Sequence, residues 1–336
     1  MAHELTVQEL EKFSAEFNKK PENKVVARAA QRSGVLEASY NDRVQGQLTR
    51  VFSTELDTNN VTNQKHSGRC WLFATLNVLR HAFGKKYKAK DFTFSQAYNF
   101  FWDKIERANM FYNRILDSAD MPLDSRQVKA DLDFAGSDGG QFQMAAALVE
   151  KYGVVPSYAM PETFNTNDTT GFATALGDKL KKDALVLRHL KQYGKDDEIK
   201  KVREKFLSEV YQMTAIAVGE PPKTFDLEYR DDDKKYHLEK NLTPLEFLHK
   251  YMGDVDFDDY VVLTNAPDHD YNKLYGLPAE DSWGDKSGVK GFYVMNNEWF
   301  KDYVYEVVVH KKYLTENQKK LAEGPITDLP AWDSLA

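Results

Sequence analysis

The sequence predicts an α+β protein with more than one lobe, and three observations support this prediction. Several long stretches in the first part of the chain space their apolar residues at helical intervals. Short runs rich in β-branched and aromatic residues, such as 260–264, occur later and are typical of strands. With 336 residues, the chain can bury a large core and would ordinarily divide into two or more lobes.

The composition excludes several classes of protein. Hydrophobic residues make up 42% and charged residues 29%, as in soluble globular proteins. The net charge of −7 argues against a general nucleic-acid-binding surface, so a nucleic-acid partner is not expected, although the local basic patch from Lys179 to Lys205 leaves that alternative open. There is no apolar run long enough to span a membrane and no signal-peptide core, so we expect a cytoplasmic protein without a membrane partner. A lone cysteine without clustered histidines predicts neither a metal site nor a cofactor.

Several stretches of the sequence predict helices. Residues 5–20 have the apolar spacing of a short amphipathic helix, and the first sixty residues are too poor in apolar side chains for a core of their own. Further helices are predicted from Cys70 to Gly84, around 94–106, from Met144 to Tyr152 and across 170–212. Thr243-Pro244-Leu245-Glu246 is a capping box that should begin another helix, ending at Gly253.

The later part of the chain supplies the strands. Besides 260–264, a strand is predicted over 303–310, before a closing helix over 314–323. The charged segment 229–235 is predicted to be an exposed loop.

The stretch around Cys70 carries the candidate chemistry. Cys70 is the only cysteine, and it lies in the first turn of a predicted helix, whose positive end lowers the pKa of a thiol and favours the nucleophilic thiolate. Gln64 lies six residues upstream, and its side-chain amide could form an oxyanion hole with the backbone N–H of Cys70. The alternative for a lone cysteine is a small buried hydrophobic residue.

This stretch resembles a known family. Asn63-Gln64-Lys65 and Ser67-Gly68-Arg69-Cys70-Trp71-Leu72-Phe73 are similar to the nucleophile segment of the bleomycin hydrolase and aminopeptidase C family of papain-like cysteine peptidases. The aromatic-rich segment 94–106 resembles the same family. The resemblance implies a papain-like two-lobed fold and peptide hydrolysis through an acyl-enzyme on Cys70, with Gln64 in the oxyanion hole.

The resemblance also implies residues of a substrate cleft. A Gly-Gly pair is most often a turn, but Gly139 and Gly140 match the pair whose backbone forms one wall of the family's cleft. Trp283 matches the Trp that shields the site from water. The chain ends at Ala336 in a tail like the one whose carboxylate holds a substrate's amino end in the family's aminopeptidases. This tail is somewhat shorter, so the resemblance is greatest to the endopeptidase-like bacterial members, called aminopeptidases E and G, and argues against strict exopeptidase trimming.

The general base is not found where the family has it. The family's His should lie between Val262 and Trp283, an interval much shorter here than in the family. Asp281 stands at the position of the family's Asn. Either Asn was replaced by Asp, or a segment was excised between Asp281 and Ser282, and the second history is favoured because both differences occur at one point.

No other histidine is assigned the role. His81 would lie about 16 Å along the helix axis from Cys70, which is too far. His66 should flank the cleft, and His269, in a polar loop, is the best substitute. The short interval between Val262 and Trp283, with its missing His, has three explanations: a shortened paralogue, an engineered or defective gene product, or a working protein longer than this sequence.

The predicted function is therefore an intracellular cysteine peptidase acting on peptides as an aminopeptidase or an oligopeptide endopeptidase. The alternative is a catalytically inactive relative that binds peptides or serves in assembly. Ten Lys or Arg against six Asp or Glu between 178 and 205 are typical of a solvated helix face, but in the family a helical insertion of this kind carries subunit contacts, which implies a homo-oligomer, a hexamer in some members. The expected domains are an N-terminal arm, a helical lobe with the nucleophile helix, the helical insertion, a strand-rich lobe shortened near 277–282, and a C-terminal helix and tail, at 1–60, 61–160, 161–225, 226–315 and 316–336.

Overall fold

The structure is a computed structural model, and its contacts divide the chain into two units, Met1–Glu55 and Leu56–Ala336. Each unit is described by itself. The residues that the structure describes are 4–47, 51–54, 61–265, 268–270, 273–276, 297–304 and 306–329.

The first unit is helical. A capping box between Thr6 and Glu9 begins its first helix, which confirms the helix predicted for 5–20. None of the described residues in these helices is buried within the unit, and Phe13 and Phe17 are exposed. The helices are α1 (Val7–Lys19), α2 (Pro21–Ser33), α3 (Val35–Ser39) and α4 (Asp42–Gln45).

The second unit begins with seven helices, and two predicted boundaries change. The helix that starts at Cys70 continues past Gly84 to Tyr87, because a single glycine costs a helix only about 1 kcal/mol. The helical region predicted for 170–212 is two helices, since the chain turns at Gly194 with φ of +64°. The seven are α5 (Cys70–Tyr87), α6 (Gln96–Asp117), α7 (Arg126–Asp133), α8 (Phe142–Tyr152), α9 (Phe164–Asn167), α10 (Thr170–Gln192) and α11 (Asp196–Val218).

The core of this unit forms around α5 and α6. Phe83 of α5 packs against Phe92 with ring centroids 4.2 Å apart, and Phe94 and Phe247 surround the pair. Each of these rings is buried, which is worth about 2–3 kcal/mol per side chain. The aromatic cluster therefore fixes the direction of α5, and with it the position of Cys70 at the start of that helix.

The strands form three two-stranded sheets within the described residues. Strands β1 (Phe225–Arg230) and β2 (Tyr236–Leu242) form an antiparallel hairpin that was not predicted, so the loop predicted for 229–235 is wrong at its first two residues and correct over 231–235. The capping box at Thr243 begins α12 (Pro244–Met252), as predicted. β3 (Tyr260–Thr264) has the predicted bounds.

The remaining elements complete these sheets. The strand predicted for 303–310 starts only at Glu306, since Tyr303 ends a helix. β3 pairs antiparallel with this strand, and β4 (Leu274–Gly276) pairs in parallel with the last strand. The closing helix is shorter than predicted. In chain order they are α13 (Asn297–Tyr303), β5 (Glu306–His310), α14 (Glu316–Ala322) and β6 (Ile326–Asp328).

A glycine is required where the loop before α8 contacts α10. Gly136 has φ of +83°, and a Cβ there would lie 2.5 Å from the Ala173 carbonyl oxygen, so only glycine lets the loop before α8 touch α10.

In the part of the chain that the structure describes, no helix combines the length and the apolar character that crossing a bilayer requires.

Candidate active site

Cys70 is the first residue of α5, and Arg69 is its N-cap. The Cys70 side chain is buried, with 1% of the residue exposed, and its Sγ lies 4.0 Å from the carbonyl oxygen of Gly68. The predicted start of the helix is therefore correct. The positive end of a helix favours a thiolate at this position, which is the arrangement that a nucleophilic cysteine needs.

Gln64 lies in a tight loop that leads directly to Cys70. The Gln64 Nε2 donates to the Ser67 carbonyl at 2.6 Å, and the Ser67 hydroxyl donates to the Gln64 carbonyl at 2.6 Å. These two hydrogen bonds join Gln64 to Ser67, and the Gln64 side chain is buried. An amide nitrogen carries two hydrogens, and the Ser67 carbonyl accepts one of them. The oxyanion role of Gln64 stays a prediction.

Arg69 binds the loop to a distant part of the chain. Its fully buried guanidinium forms a bidentate pair with Glu162, with Nη1–Oε1 and Nη2–Oε2 distances of 3.1 and 2.7 Å. Nη2 also donates to the Thr166 carbonyl at 2.6 Å, and Nε donates to the Ser67 hydroxyl at 3.1 Å. The sequence did not predict this ion pair. The only feature of the sequence that distinguishes Arg69 is its position next to Cys70, and nothing relates it to Glu162.

His66 forms a second connection to the same region. Its backbone N–H donates to the Asn167 carbonyl at 2.9 Å, and its carbonyl accepts from the Thr169 N–H at 3.2 Å. The residue itself is exposed. The segment 162–169 therefore supports the loop 64–70 at two points, one through a side chain and one through the backbone.

Gly139 and Gly140 lie against this loop. The Trp71 indole N–H donates to the Asp138 carbonyl at 2.9 Å, and the Arg107 guanidinium donates to the Gly139 carbonyl. A Cβ on Gly140 would lie 2.6 Å from Trp71 Cε2, so a larger residue does not fit without displacing the indole. The structure thus brings the Gly-Gly pair close to the residue that follows Cys70. Its role as a cleft wall stays a prediction.

Buried charges on α6 hold the segment 137–140. Lys104 Nζ lies 2.8 Å from Asp138 Oδ1 and 3.3 Å from Asp103 Oδ2, and it donates to the Ser137 carbonyl at 2.8 Å. Arg107 Nε donates to both oxygens of Asp103 at 2.8 and 2.9 Å. Two cations and two carboxylates therefore neutralise one another in the interior. The i, i+4 spacing of Asp103 and Arg107 on a largely apolar helix face was the available signal.

Asp138 is ionised because of this arrangement. Burial opposes the charged form, but the charge and hydrogen bond of Lys104, with hydrogen bonds from Thr169 and the Gly68 backbone, outweigh burial and lower the pKa of the Asp138 carboxyl. The carboxylate consequently joins three segments: α6, the residue before Arg69, and the start of α10.

Three predicted site residues lie in the parts of the chain that the structure does not describe. Asp281, Trp283 and Ala336 lie outside the described residues, so their roles as an Asn substitute, a shield and an amino-end anchor stay predictions. The joint between 281 and 282, where an excision was predicted, also lies outside them. His269 Nδ1 lies 3.0 Å from Asp268 Oδ1, which orients the ring but gives no distance to Cys70.

With this geometry in place, comparison with known proteins settles the family. The model of the Peptidase C1-like family matches residues 4–281 and 277–336. The chain belongs to the Peptidase C1-like family. It is 71% identical to aminopeptidase E of Lactobacillus helveticus and 53% identical to aminopeptidase G of Lactobacillus delbrueckii subsp. lactis, in each case over 100% of both proteins.

A solved structure agrees with the sequence comparison. The crystal structure of PepW from Lactobacillus rhamnosis HN001 superposes with a TM-score of 0.89 and 32% identity, covering 100% of this chain and 99% of that one. The predicted family, its papain-like α+β fold and the enzyme class, a cysteine-type peptidase, are therefore confirmed.

The same comparisons bear on the predicted gap. The alignment with aminopeptidase E extends over 438 residues, whereas this Peptidase C1-like chain has 336, so the surplus positions have no residue of this chain opposite them. The two stretches matched by the family model meet at 277–281. Neither observation says which residues the surplus positions hold, so the absence of the catalytic His stays a prediction.

Proposed function

We propose that this chain is an aminopeptidase that cleaves peptides through an acyl-enzyme on Cys70. The observation that carries the proposal is the position of Cys70 as the first residue of α5, with Gln64 fixed in the loop just before it. The names of two relatives, aminopeptidase E and aminopeptidase G, favour an exopeptidase, whereas the shorter C-terminal tail favours an endopeptidase.

The proposed chemistry follows from this arrangement. Cys70 Sγ bonds to the scissile carbonyl carbon, and the oxyanion accepts hydrogen bonds from the Cys70 backbone N–H and the Gln64 amide. The C–N bond then breaks, and the leaving amine takes the proton that an imidazole removed from the thiol. Water hydrolyses the thioester and restores Cys70. The imidazole is not assigned to a residue.

The cleft would bind substrate along backbone groups. In the proposal, Gly139 and Gly140 pair with an extended peptide, because a wall without side chains lets two backbones approach. Trp283 would shield the reaction from water, and the Ala336 carboxylate would bind a protonated amino end. Peptides are thus the proposed partners.

A direct test compares the unaltered chain with Cys70→Ala on aminoacyl anilides and on the same anilides with a blocked amino group. The proposal expects hydrolysis of the free-amino substrates that the variant lacks. Equal rates for free and blocked substrates would overturn the aminopeptidase assignment. Equal rates for the two proteins would overturn the role of Cys70.

A second candidate is a protein that binds peptides without turning them over. It rests on the predicted loss of the general base near Asp281, since a thiol without a base is a poor catalyst of turnover. Calorimetric titration with a dipeptide distinguishes the two functions. Binding without hydrolysis at any pH would favour this candidate.

Assembly and location belong to the same proposal. We propose a homo-oligomer with contacts through the insertion 161–225, where Leu185, Tyr193 and Ile216 are exposed apolar side chains. Light scattering on the purified chain tests it, and a monomer at all concentrations would contradict it. A cytoplasmic location is proposed because one cysteine allows no disulfide within the chain.

A further inference from the structure

Arg69 is the largest fully buried side chain in the described part of the chain. Its guanidinium carbon lies 5.1 Å from the centre of the Phe73 ring and 5.2 Å from that of Phe100. A charge enclosed by two rings depends on its polar partners, since an unpaired buried cation is strongly unfavourable. The Glu162 carboxylate supplies the compensating charge at 2.7 Å.

The hydrogen bonds of Arg69 all lie within one local assembly, formed by the loop 64–70 and the segment 162–169. Three of them reach the segment that contains Glu162 and Thr166, and the fourth reaches the Ser67 hydroxyl. That hydroxyl in turn donates to the carbonyl of Gln64. A continuous path of hydrogen bonds therefore runs from Glu162 through Arg69 and Ser67 to Gln64.

The two proposed oxyanion donors lie on this path or next to it. The Gln64 amide is fixed by the loop that Ser67 closes, and the Cys70 N–H directly follows Arg69 in the chain. A displacement of the Arg69 side chain would move both donors together. An error on the order of 1 Å in such a position costs up to about a hundredfold in rate.

We propose that Arg69 and Glu162 are positioning residues, whose bidentate ion pair, buried on the arginine side, fixes the backbone from Gln64 to Cys70 and thereby aligns the two oxyanion donors. This inference rests on the proposed function, because it assigns the pair a task in that reaction. Among the contacts that the structure describes for Arg69, Glu162 is the only charged partner outside the loop.

Arg188 provides a matched control. It is also a buried arginine, with 4% exposed, and its guanidinium donates to the Ser118 and Met121 carbonyls, far along the chain from the loop 64–70. Arg188→Lys should lower stability much as Arg69→Lys does. A difference between the two variants in catalysis then reports positioning, and a loss of stability common to both does not.

The first measurement is steady-state hydrolysis of an aminoacyl anilide. Arg69→Lys and Glu162→Gln should lower kcat by at least about tenfold with KM changed less than about threefold, because the loss is confined to the transition state. Arg188→Lys should leave both constants within about twofold of the unaltered chain. If Arg69→Lys does not fold, Glu162→Gln, which keeps the shape of the side chain, decides the matter alone.

The second measurement needs no turnover. Cys70 is the only thiol, so alkylation by iodoacetamide read by intact mass reports this side chain alone. In Arg69→Lys and Glu162→Gln, the profile of alkylation against pH should be displaced from that of the unaltered chain, since the helix start no longer faces the thiol as before. Arg188→Lys should keep the original profile.

The outcomes separate the two claims. If the unaltered chain hydrolyses nothing, the proposed function is overturned, and the alkylation profiles alone decide about the ion pair. If Arg69→Lys and Glu162→Gln match Arg188→Lys in alkylation and, where there is turnover, in kcat, the ion pair is structural only and the inference is wrong.

Discussion

The side chain of Gln64 serves two acceptors in the proposed reaction. One hydrogen of its amide goes to the Ser67 carbonyl, and the other is offered to the oxyanion. Gln64→Ala should therefore lower kcat about a hundredfold, the usual cost of one oxyanion donor. Steady-state kinetics measures this, with Gln127→Ala, which lies on α7 and bonds Asp131, as a control. A loss of less than about threefold would remove Gln64 from the oxyanion hole.

Asp138 gives the site a defined response to acid. Because the pKa of its carboxyl is lowered in the folded chain, the stability that it contributes is complete above its ordinary pKa of about 4 and is lost as the pH falls through the lower folded value. Asp138→Asn should cost about 3 kcal/mol at neutral pH, since Lys104 would lose a buried partner, and should flatten the decline in acid.

Denaturant unfolding from pH 7 to pH 3 checks this prediction. Asp233→Asn is the control, because its pairing with Lys88 is exposed on both sides and should contribute no measurable stability. A variant at Asp138 whose stability falls with acid as steeply as that of the unaltered chain would contradict the assignment.

At the scale of one element, α10 contains two glycines with opposite surroundings. A Cβ on Gly171 would meet nothing within 4 Å, whereas one on Gly177 would lie 2.8 Å from the Ala135 carbonyl oxygen. Gly171→Ala should stabilise the chain by about 0.5 kcal/mol through helix propensity. Gly177→Ala should destabilise it by more than about 1 kcal/mol through overpacking.

Thermal unfolding of the two variants measures the contrast. Gly177→Ala should also lower activity, because it displaces the segment that leads from Ala135 to Gly139. Stabilisation by both substitutions would mean that the close approach of this loop to α10 is not a constraint.

At the scale of the whole molecule, burial is uneven. The helices α5 and α6 contain many fully buried residues, whereas β3 and β5 contain none, and Val307 and Val308 are 40% and 42% exposed. Local opening follows such differences in burial. Hydrogen exchange should therefore show slow amides in α5 and α6 and faster ones in β3 and β5. Equal protection in both would contradict this distribution.

Features encoded by neighbouring residues were predicted well from the sequence. The helix α12 has its predicted start because Thr243, Pro244 and Glu246 are adjacent and form a capping box by themselves. The position of Cys70 at a helix start was predictable for the same reason. Strands β1 and β2 were not predicted, because the charged residues at 229–235 mask strands whose pairing only the fold provides.

Features that join distant residues could not be predicted. Arg69 and Glu162 are 93 positions apart, and no periodicity relates them. The pairing of Lys104 with Asp138 likewise depends on how α6 packs beneath the Gly139 segment. A single sequence specifies such contacts only through the complete fold.

The most direct test of the central claim is the intact mass of the chain after brief mixing with an aminoacyl nitrophenyl ester. The starting mass should be 38.6 kDa. The account predicts the addition of one acyl group, mapped to Cys70, absent in Cys70→Ala and in the denatured chain, and lost again as free amino acid appears. An unchanged mass, or acyl groups spread over lysines, would contradict the claim that Cys70 is the nucleophile.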